Sequence, residues 1–291
     1  MNSSLVVSVV VYGPEMGWFR LLVESLSRAV KEAKESLHLR HVAICVVDNS
    51  ADESGRLILD KLREESPDIF EEKSWLRWEV FSGHGNLGYG CGNNLALKSY
   101  KDADFWLVLN PDVEIDVDAL AVGIRYLEDH RCVAMLAPGV LTENGSVSHL
   151  CKAYPSVLDL AARAFFPASF FSAASVPERL QRIFRDRIAS YTLAVMAAED
   201  RPRDVPIVSG SFMLCRAAAL RKVGGFDPGY FLYFEDFDLS LRISAEGALR
   251  WLPAMRIRHA GGHAARKGLW HTWQFVRSGI RFFNQHGWRW G

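Results

Sequence analysis

The tripeptide Asn110-Pro111-Asp112 closes the apolar run Phe105-Trp106-Leu107-Val108-Leu109 and opens an acidic stretch that continues through Glu114, Asp116 and Asp118. A short buried strand that ends in carboxylates gathers negative charge at a sheet edge, where a divalent cation can neutralise it. The chemistry suggested is metal-assisted reaction at a phosphate. The same residues also fit an ordinary strand-to-helix turn, with Pro111 starting it and Asp116 or Asp118 capping a helix through Glu128.

Three further segments carry residues able to do chemistry. Asn86-Leu87-Gly88-Tyr89-Gly90-Cys91-Gly92-Asn93-Asn94 alternates glycine before a helix-forming stretch. Such a backbone can approach a ligand closely, and a helix N-terminus beyond it favours anions. The spacing is Gly-x-Gly-x-Gly and does not follow the first strand, so it is not the dinucleotide fingerprint. In Phe231-Leu232-Tyr233-Phe234-Glu235-Asp236-Phe237-Asp238-Leu239, three acids sit among large aromatics before a helix that stops at Gly247. Desolvation by such neighbours raises a carboxyl pKa and improves it as a proton acceptor, although Asp236 or Asp238 equally fits a helix N-cap. His259 follows the strand-like Met255 to Arg258 and leads into Gly261-Gly262-His263; a neutral imidazole there suits a metal or a purely structural role.

The elements that must position these residues follow from periodicity. Leu5 to Val11, Val42 to Val47 and Phe105 to Leu109 are short apolar runs separated by helix-length segments, the βαβ rhythm of a parallel sheet. Between the first two, Trp18, Leu21, Leu22, Ser25, Leu26 and Ala29 recur at helical spacing, opposite Arg28, Lys31, Glu32 and Glu35. Ligands of open parallel sheets bind beyond the carboxyl ends of the strands, so Tyr12-Gly13, Asp48-Asn49-Ser50 and Asn110-Pro111-Asp112 should face one crevice. Val140 to Ser148, with Asn144-Gly145, reads as a hairpin. Residues 151–204 read as a helical insertion, with Phe165-Phe166-Pro167 and Phe170-Phe171 as core or contact aromatics. Order returns with a strand at Ile207 to Val208 and Phe212 to Cys215, a helix from Ala217 to Val223, and the turn Gly224-Gly225-Phe226-Asp227.

With 291 residues, 49% of them hydrophobic, the chain can bury a large core. Its five cysteines show no Cys-x-x-Cys pair and predict reduced, structural thiols and a cytosolic setting. Leu5 to Val11 lacks the flanks of a signal peptide, and no apolar run is long enough to span a bilayer. Net charge is zero, yet no Asp or Glu follows Glu246, while arginines interleave with Trp270, Trp273, Phe275, Phe282, Phe283, Trp288 and Trp290. A basic aromatic arm suits anionic lipid, or packing against the body or a partner chain; no nucleic-acid motif accompanies it. A P-loop enzyme is disfavoured, because no Gly-Lys-Ser/Thr follows a glycine loop.

The ordered set Asp48-Asn49-Ser50, Asn86-Leu87-Gly88-Tyr89-Gly90, Asn110-Pro111-Asp112, Ser209-Gly210-Ser211, Gly224-Gly225-Phe226-Asp227, the Glu-Asp-x-Asp core of Phe231 to Leu239, and His259 resembles the inverting family 2 glycosyltransferases, in their bacterial rhamnosyltransferase-like branch. The resemblance implies an α/β GT-A fold: a Rossmann-like, mostly parallel central sheet with helices on both faces, a smaller acceptor-side sheet and a C-terminal helix. It implies a domain over 1–250, with a nucleotide-binding half at 1–115 and an acceptor half at 116–250, followed by the arm at 251–291. It further implies that Asp48 and Tyr12 line the base and ribose pocket, with Asn86, Gly88, Tyr89 and Asn110 completing the donor site and Ser209, Gly210 and Ser211 flanking the sugar. Asp112 and His259 would hold Mg²⁺ or Mn²⁺ on the donor diphosphate, with modest affinity because the family's Asp-x-Asp is Asn110-x-Asp112 here. Asp236 would be the general base and Glu235 its neighbour. The implied activity is transfer of L-rhamnose from dTDP-L-rhamnose to a cell-surface glycan precursor at the cytoplasmic face of the inner membrane. The alternatives are a UDP-hexose-dependent transferase and an inactive sugar-nucleotide-binding module.

Overall fold

The computed structural model describes residues 3–71, 73–142, 146–165, 177–259 and 268–291. Along the chain run β1 (Ser4–Val11), α1 (Met16–Leu37), β2 (His41–Asp48), α2 (Ser54–Glu65), α3 (Pro67–Phe70), β3 (Leu76–Phe81), α4 (Tyr89–Ser99), β4 (Phe105–Leu109), β5 (Val113–Ile115) and α5 (Ala119–Asp129). Then follow β6 (Val133–Leu141), β7 (Val147–Ser148), α6 (Val157–Phe165), α7 (Glu178–Tyr191), a 3-10 turn (Ala194–Ala198), β8 (Arg203–Asp204), β9 (Phe212–Arg216), α8 (Ala217–Lys222), α9 (Glu235–Ile243), β10 (Ala248–His259) and α10 (Leu269–His286).

Every residue of β1 and of β4 is buried, as expected of parallel strands covered on both faces. The ten-stranded sheet has the order β3-β2-β1-β4-β9-β6-β10-β5. Its first four strands are parallel neighbours. The chain moves outward from β1 to β2 and β3, then returns to the other side of β1 as β4, so the switch point lies between β1 and β4, where ligands of such sheets bind. Alternation splits β1 between two cores. Leu5, Val7, Val9 and Val11 pack with α1 and α5, while Val6 and Val10 pack with Trp106, Met213, Leu239 and Trp251. Ser8 on the second face is satisfied by Asn93 and by the Trp106 indole N–H (3.2 Å).

The strands β9, β6, β10 and β5 extend the same sheet, where the resemblance implies a separate, smaller one. Antiparallel β9 joins β4 to β6, and β10 carries β6 on one side and antiparallel β5 on the other. Ile207 makes only an isolated bridge to Lys152, and the strand expected there starts at Phe212, beyond the Ser209-Gly210-Ser211 bend. The hairpin pairs Val140 with Ser148; its Asn144-Gly145 turn lies outside the described residues, as do Phe166, Pro167, Phe170, Phe171 and the Gly261-Gly262-His263 segment. The expected boundary after residue 250 falls inside β10, so the basic arm beyond the sheet is α10 and the residues after it. All five cysteines are free. No helix among the described residues is long and apolar enough to cross a membrane.

Candidate active site

At the carboxyl ends of β1 and β2, Tyr12 stands 68% exposed while Asp48 is fully buried. The Asp48 oxygens accept the backbone N–H groups of Ser50 (2.9 Å) and Arg56 (2.8 Å), and Ser50 Oγ accepts Gly13 N–H (2.8 Å). Asp48 therefore fixes the loop into α2, and the exposed side chain on this rim is Tyr12. Asn49 Nδ2 donates to the Gly88 carbonyl (3.0 Å), which ties this rim to the glycine-rich segment.

In that segment Asn86 Oδ1 accepts Gly88 N–H (2.9 Å) and turns the chain into α4. Gly88 has φ +81°, and a Cβ there would meet the Phe231 carbonyl at 2.2 Å; only glycine fits. The same carbonyl accepts Tyr89 N–H (3.2 Å). A Cβ on Gly90 would meet Phe226 at 2.9 Å, and one on Gly92 would meet Val10 at 3.0 Å. The alternating glycines thus seat α4 against protein, where the spacing alone predicts approach to a ligand. Asn94 bonds both the N–H (2.9 Å) and the carbonyl (2.8 Å) of Phe226, which accounts for the Gly224-Gly225-Phe226-Asp227 turn.

The acids after β4 part ways. Because β5 runs antiparallel to β10, Arg258 faces Glu114 and His259 faces Val113. Arg258 lies 3.6 Å from Glu114 and 3.7 Å from Asp116, so an arginine answers the charge that the sequence offered to a cation. Asp118 occupies the N-cap position of α5 without a side-chain cap bond, and Asp116 serves α5 through its carbonyl, which accepts Ala119 N–H (3.0 Å). Asp112 turns instead to His259, with Oδ1 and Nε2 3.4 Å apart. Burial pushes the Asp112 carboxyl up, but the neighbouring His259 imidazole, then Asn110, hold it below its ordinary value.

Opposite them, Tyr233 (φ +71°) and Phe234 (φ +65°) place two successive left-handed residues before α9, a costly conformation that fixes how the helix enters the site. Asp236 Oδ2 accepts Gly210 N–H (2.9 Å) and Oδ1 accepts Phe237 N–H (3.0 Å). Burial raises its pKa against these two amides. Glu235 is 5% exposed, and its Oε2 accepts no hydrogen bond from the described residues. Burial, then the charge of Asp236, pushes its pKa up to about 8. Tyr89 joins the groups: its hydroxyl donates to the Gly210 carbonyl, and burial, then the charges of Glu235, Asp236 and Asp112, holds its pKa well above the ordinary value. Asn110 N–H donates to the Ser211 carbonyl (3.0 Å), and Ser209 Oγ lies 3.3 Å from Ser211 Oγ. Asp112, His259, Glu235, Asp236, Tyr89 and the Ser209–Ser211 bend therefore form one site, with Tyr12 and Asp48 on the rim at the ends of β1 and β2.

Among the described residues no group of three His, Cys, Asp or Glu side chains converges on a metal centre. The pair Asp112 and His259 nevertheless fits one cation: two donors each about 2.0–2.2 Å from a metal lie about 3–3.5 Å apart, against the 3.4 Å found. A carboxylate with an imidazole suits Mn²⁺, and donor phosphates can complete such a sphere.

No family model matches the chain. Rhamnosyltransferase WbbL of Escherichia coli (strain K12) is 32% identical over 193 residues, covering 62% of this chain and 64% of that protein. The N-acetylglucosaminyl-diphospho-decaprenol L-rhamnosyltransferase of Mycobacterium tuberculosis (strain ATCC 25618 / H37Rv) is 27% identical over 194 residues, covering 62% and 57%. The chain thus spans less than two thirds of the length of these relatives. Among solved structures, GalNAc-T7 with UDP, GalNAc and Mn²⁺ superposes with a TM-score of 0.61 at 15% identity over 97% of this chain and 48% of that one. The Pyrobaculum calidifontis mannosyltransferase PcManGT with GDP-Man and Mn²⁺ gives 0.52 at 17% over 96% and 64%.

The chain has a GT-A fold and is similar in sequence to rhamnosyltransferases. Within that fold, the sequence patterns include Asn49 and Asn94 but do not show what they bond. Both hold the backbone of distant segments, at |i−j| of 39 and 132, and no local spacing signals such a bond.

Proposed function

We propose that the protein is a metal-dependent, inverting glycosyltransferase that moves L-rhamnose from dTDP-L-rhamnose to a hydroxyl of a bacterial cell-surface glycan precursor. The acceptor is a lipopolysaccharide core or a lipid-linked oligosaccharide at the cytoplasmic face of the inner membrane. The observation that carries this reading is the gathering of Asp112 and His259, 3.4 Å apart, with Glu235 and Asp236 around Tyr89. The names of the sequence relatives support the sugar and, for the mycobacterial protein, a diphospho-decaprenol acceptor.

Tyr12 and the loop fixed by Asp48 flank the base and ribose, Asn86, Gly88, Tyr89 and Asn110 complete the donor pocket, and Ser209, Gly210 and Ser211 flank the sugar. Asp112 and His259 would hold Mg²⁺ or Mn²⁺, which would supply positive charge to the departing diphosphate. Asp236 accepts the acceptor hydroxyl proton while the oxygen attacks the anomeric carbon and the bond to the diphosphate breaks, so the configuration inverts. Burial raises the pKa of both carboxyls and two adjacent like charges disfavour each other, so the pair carries a single charge, and the two backbone amides on Asp236 favour that charge there. A donor panel assayed by nucleotide release tests this: dTDP-L-rhamnose should turn over fastest. Faster turnover of a UDP-hexose would replace the donor, and donor binding without release from any donor would make the protein a binding module.

A further inference from the structure

Helix α10 presents two apolar faces, and among the described residues one of them packs in a core. On the inner face Phe282 and Phe283 join Tyr230 and Phe234 in a separate aromatic core, and Gly279 lies against the Phe234 ring, where a Cβ would sit at 3.4 Å. Beside that core, polar bonds fasten α10 to the segment leading into α9. Ser278 Oγ donates to the Leu232 carbonyl (2.8 Å), Tyr233 Oη meets His271 Nδ1 (3.0 Å), Arg281 donates to Asp227 (2.8 Å), and His286 Nε2 meets Asp238 Oδ1 (2.9 Å). The tail after α10 also packs on the body. Trp288 stacks on Phe283, and the Arg289 carbonyl accepts Val157 N–H (2.8 Å).

Among the described residues the outer face is bonded less, its aromatic contact being Trp270 edge-on to Phe231 (5.8 Å). Leu269, Trp273, Val276 and Ile280 recur at i, i+4, i+7 and i+11 with Trp270 beside them; Leu269 is 90% exposed and the others about half. Single exposed apolar residues are ordinary, but a continuous stripe rimmed by charge marks an interaction surface. The charge is of one sign, since no acid follows Glu246 in the sequence. Arg277 lies on this face with its guanidinium 5.4 Å from the Trp273 ring centroid. A second copy docked on the same stripe would bring Arg277 against its own like with no acid from this region to answer it. Anionic headgroups answer it directly, and tryptophan rings favour the headgroup level.

We infer that the outer face of α10 is a docking surface for an anionic lipid bilayer, and that its inner-face bonds fix the Glu235–Asp236 turn relative to that surface. This deepens the acceptor side of the function proposed above and rests on it for its setting. The experiment is co-sedimentation of the full chain, without donor or acceptor, with vesicles of phosphatidylcholine alone and of phosphatidylcholine mixed with phosphatidylglycerol. The chain should sediment with the mixed vesicles and less with the neutral ones. Combined Trp273→Ser, Val276→Ser and Ile280→Ser should weaken binding by about tenfold or more at an unchanged melting temperature. Arg277→Glu, a milder change that keeps the stripe, should weaken binding to the anionic vesicles alone. Failure of the parent chain to sediment, or equal binding by both variants, would overturn the inference. So would a dimer, seen by analytical ultracentrifugation, that the stripe substitutions dissolve while vesicles are ignored. Binding with no transfer from any donor would instead refute the proposed reaction and leave the surface intact.

Discussion

Two acid-rich segments, residues 112–118 and 235–238, look alike in sequence and are handled differently by the fold. After β4 the acids are divided by the β5–β10 register: Glu114 and Asp116 meet Arg258, while Asp112 lies beside His259. At the start of α9 the acids are sorted by helix geometry. Asp238 is bound by Arg242 (2.8 Å) and His286 (2.9 Å), Asp236 takes two backbone amides, and Glu235 is left buried with an unbonded oxygen. In each segment arginine or histidine neutralises the acids that serve structure. What remains for chemistry is one carboxylate paired with an imidazole and one carboxylate pair with raised pKa values.

The sharpest break of this contrast is Asp236→Asn. It should keep donor binding by calorimetry and lose turnover by about 10²–10⁴, whereas near-normal turnover would remove Asp236 as base. Next, Gly88→Ala forces a side chain against the Phe231 carbonyl at a left-handed φ. It should cost on the order of 1–3 kcal/mol in chemical denaturation and should lower turnover by displacing the α9 turn.

A smaller effect concerns pH. The folded Glu235 pKa of about 8 lies above its ordinary 4.5, so the native state holds more protons across that window and stability should fall as pH rises from about 4.5 to about 8. Glu235→Gln should flatten that slope in thermal melts; an unchanged slope would show that Glu235 ionises elsewhere. Smallest of all, Glu114→Ala with Asp116→Ala removes partly exposed pairs with Arg258. It should shift stability by about 0–1 kcal/mol and leave Mn²⁺-dependent nucleotide binding alone, where a loss of binding would return these acids to the metal site.

Much of this was readable in the chain. The apolar runs at Leu5, Val42 and Phe105 mark parallel strands because both their faces are covered, and their carboxyl ends converge as that topology requires. The meeting of Asp112 with His259 followed from motif order. The fate of Glu114 and Asp116 did not, because it depends on the β5–β10 register, set by strands far apart in sequence. The glycines at 90 and 92 look like a ligand loop until Phe226 and Val10 are seen against them. The stacking of Trp288 on Phe283 and of Trp290 on Trp288, while both stay partly exposed, is likewise a tertiary fact.

The role of the Asp112–His259 pair is tested most directly by Mn²⁺ titration followed by electron paramagnetic resonance, with a nucleoside diphosphate present. The parent chain should bind Mn²⁺ together with the diphosphate, and Asp112→Ala and His259→Ala should each weaken that binding by about tenfold or more. Mn²⁺ affinity in both variants equal to that of the parent would contradict a metal site at this pair.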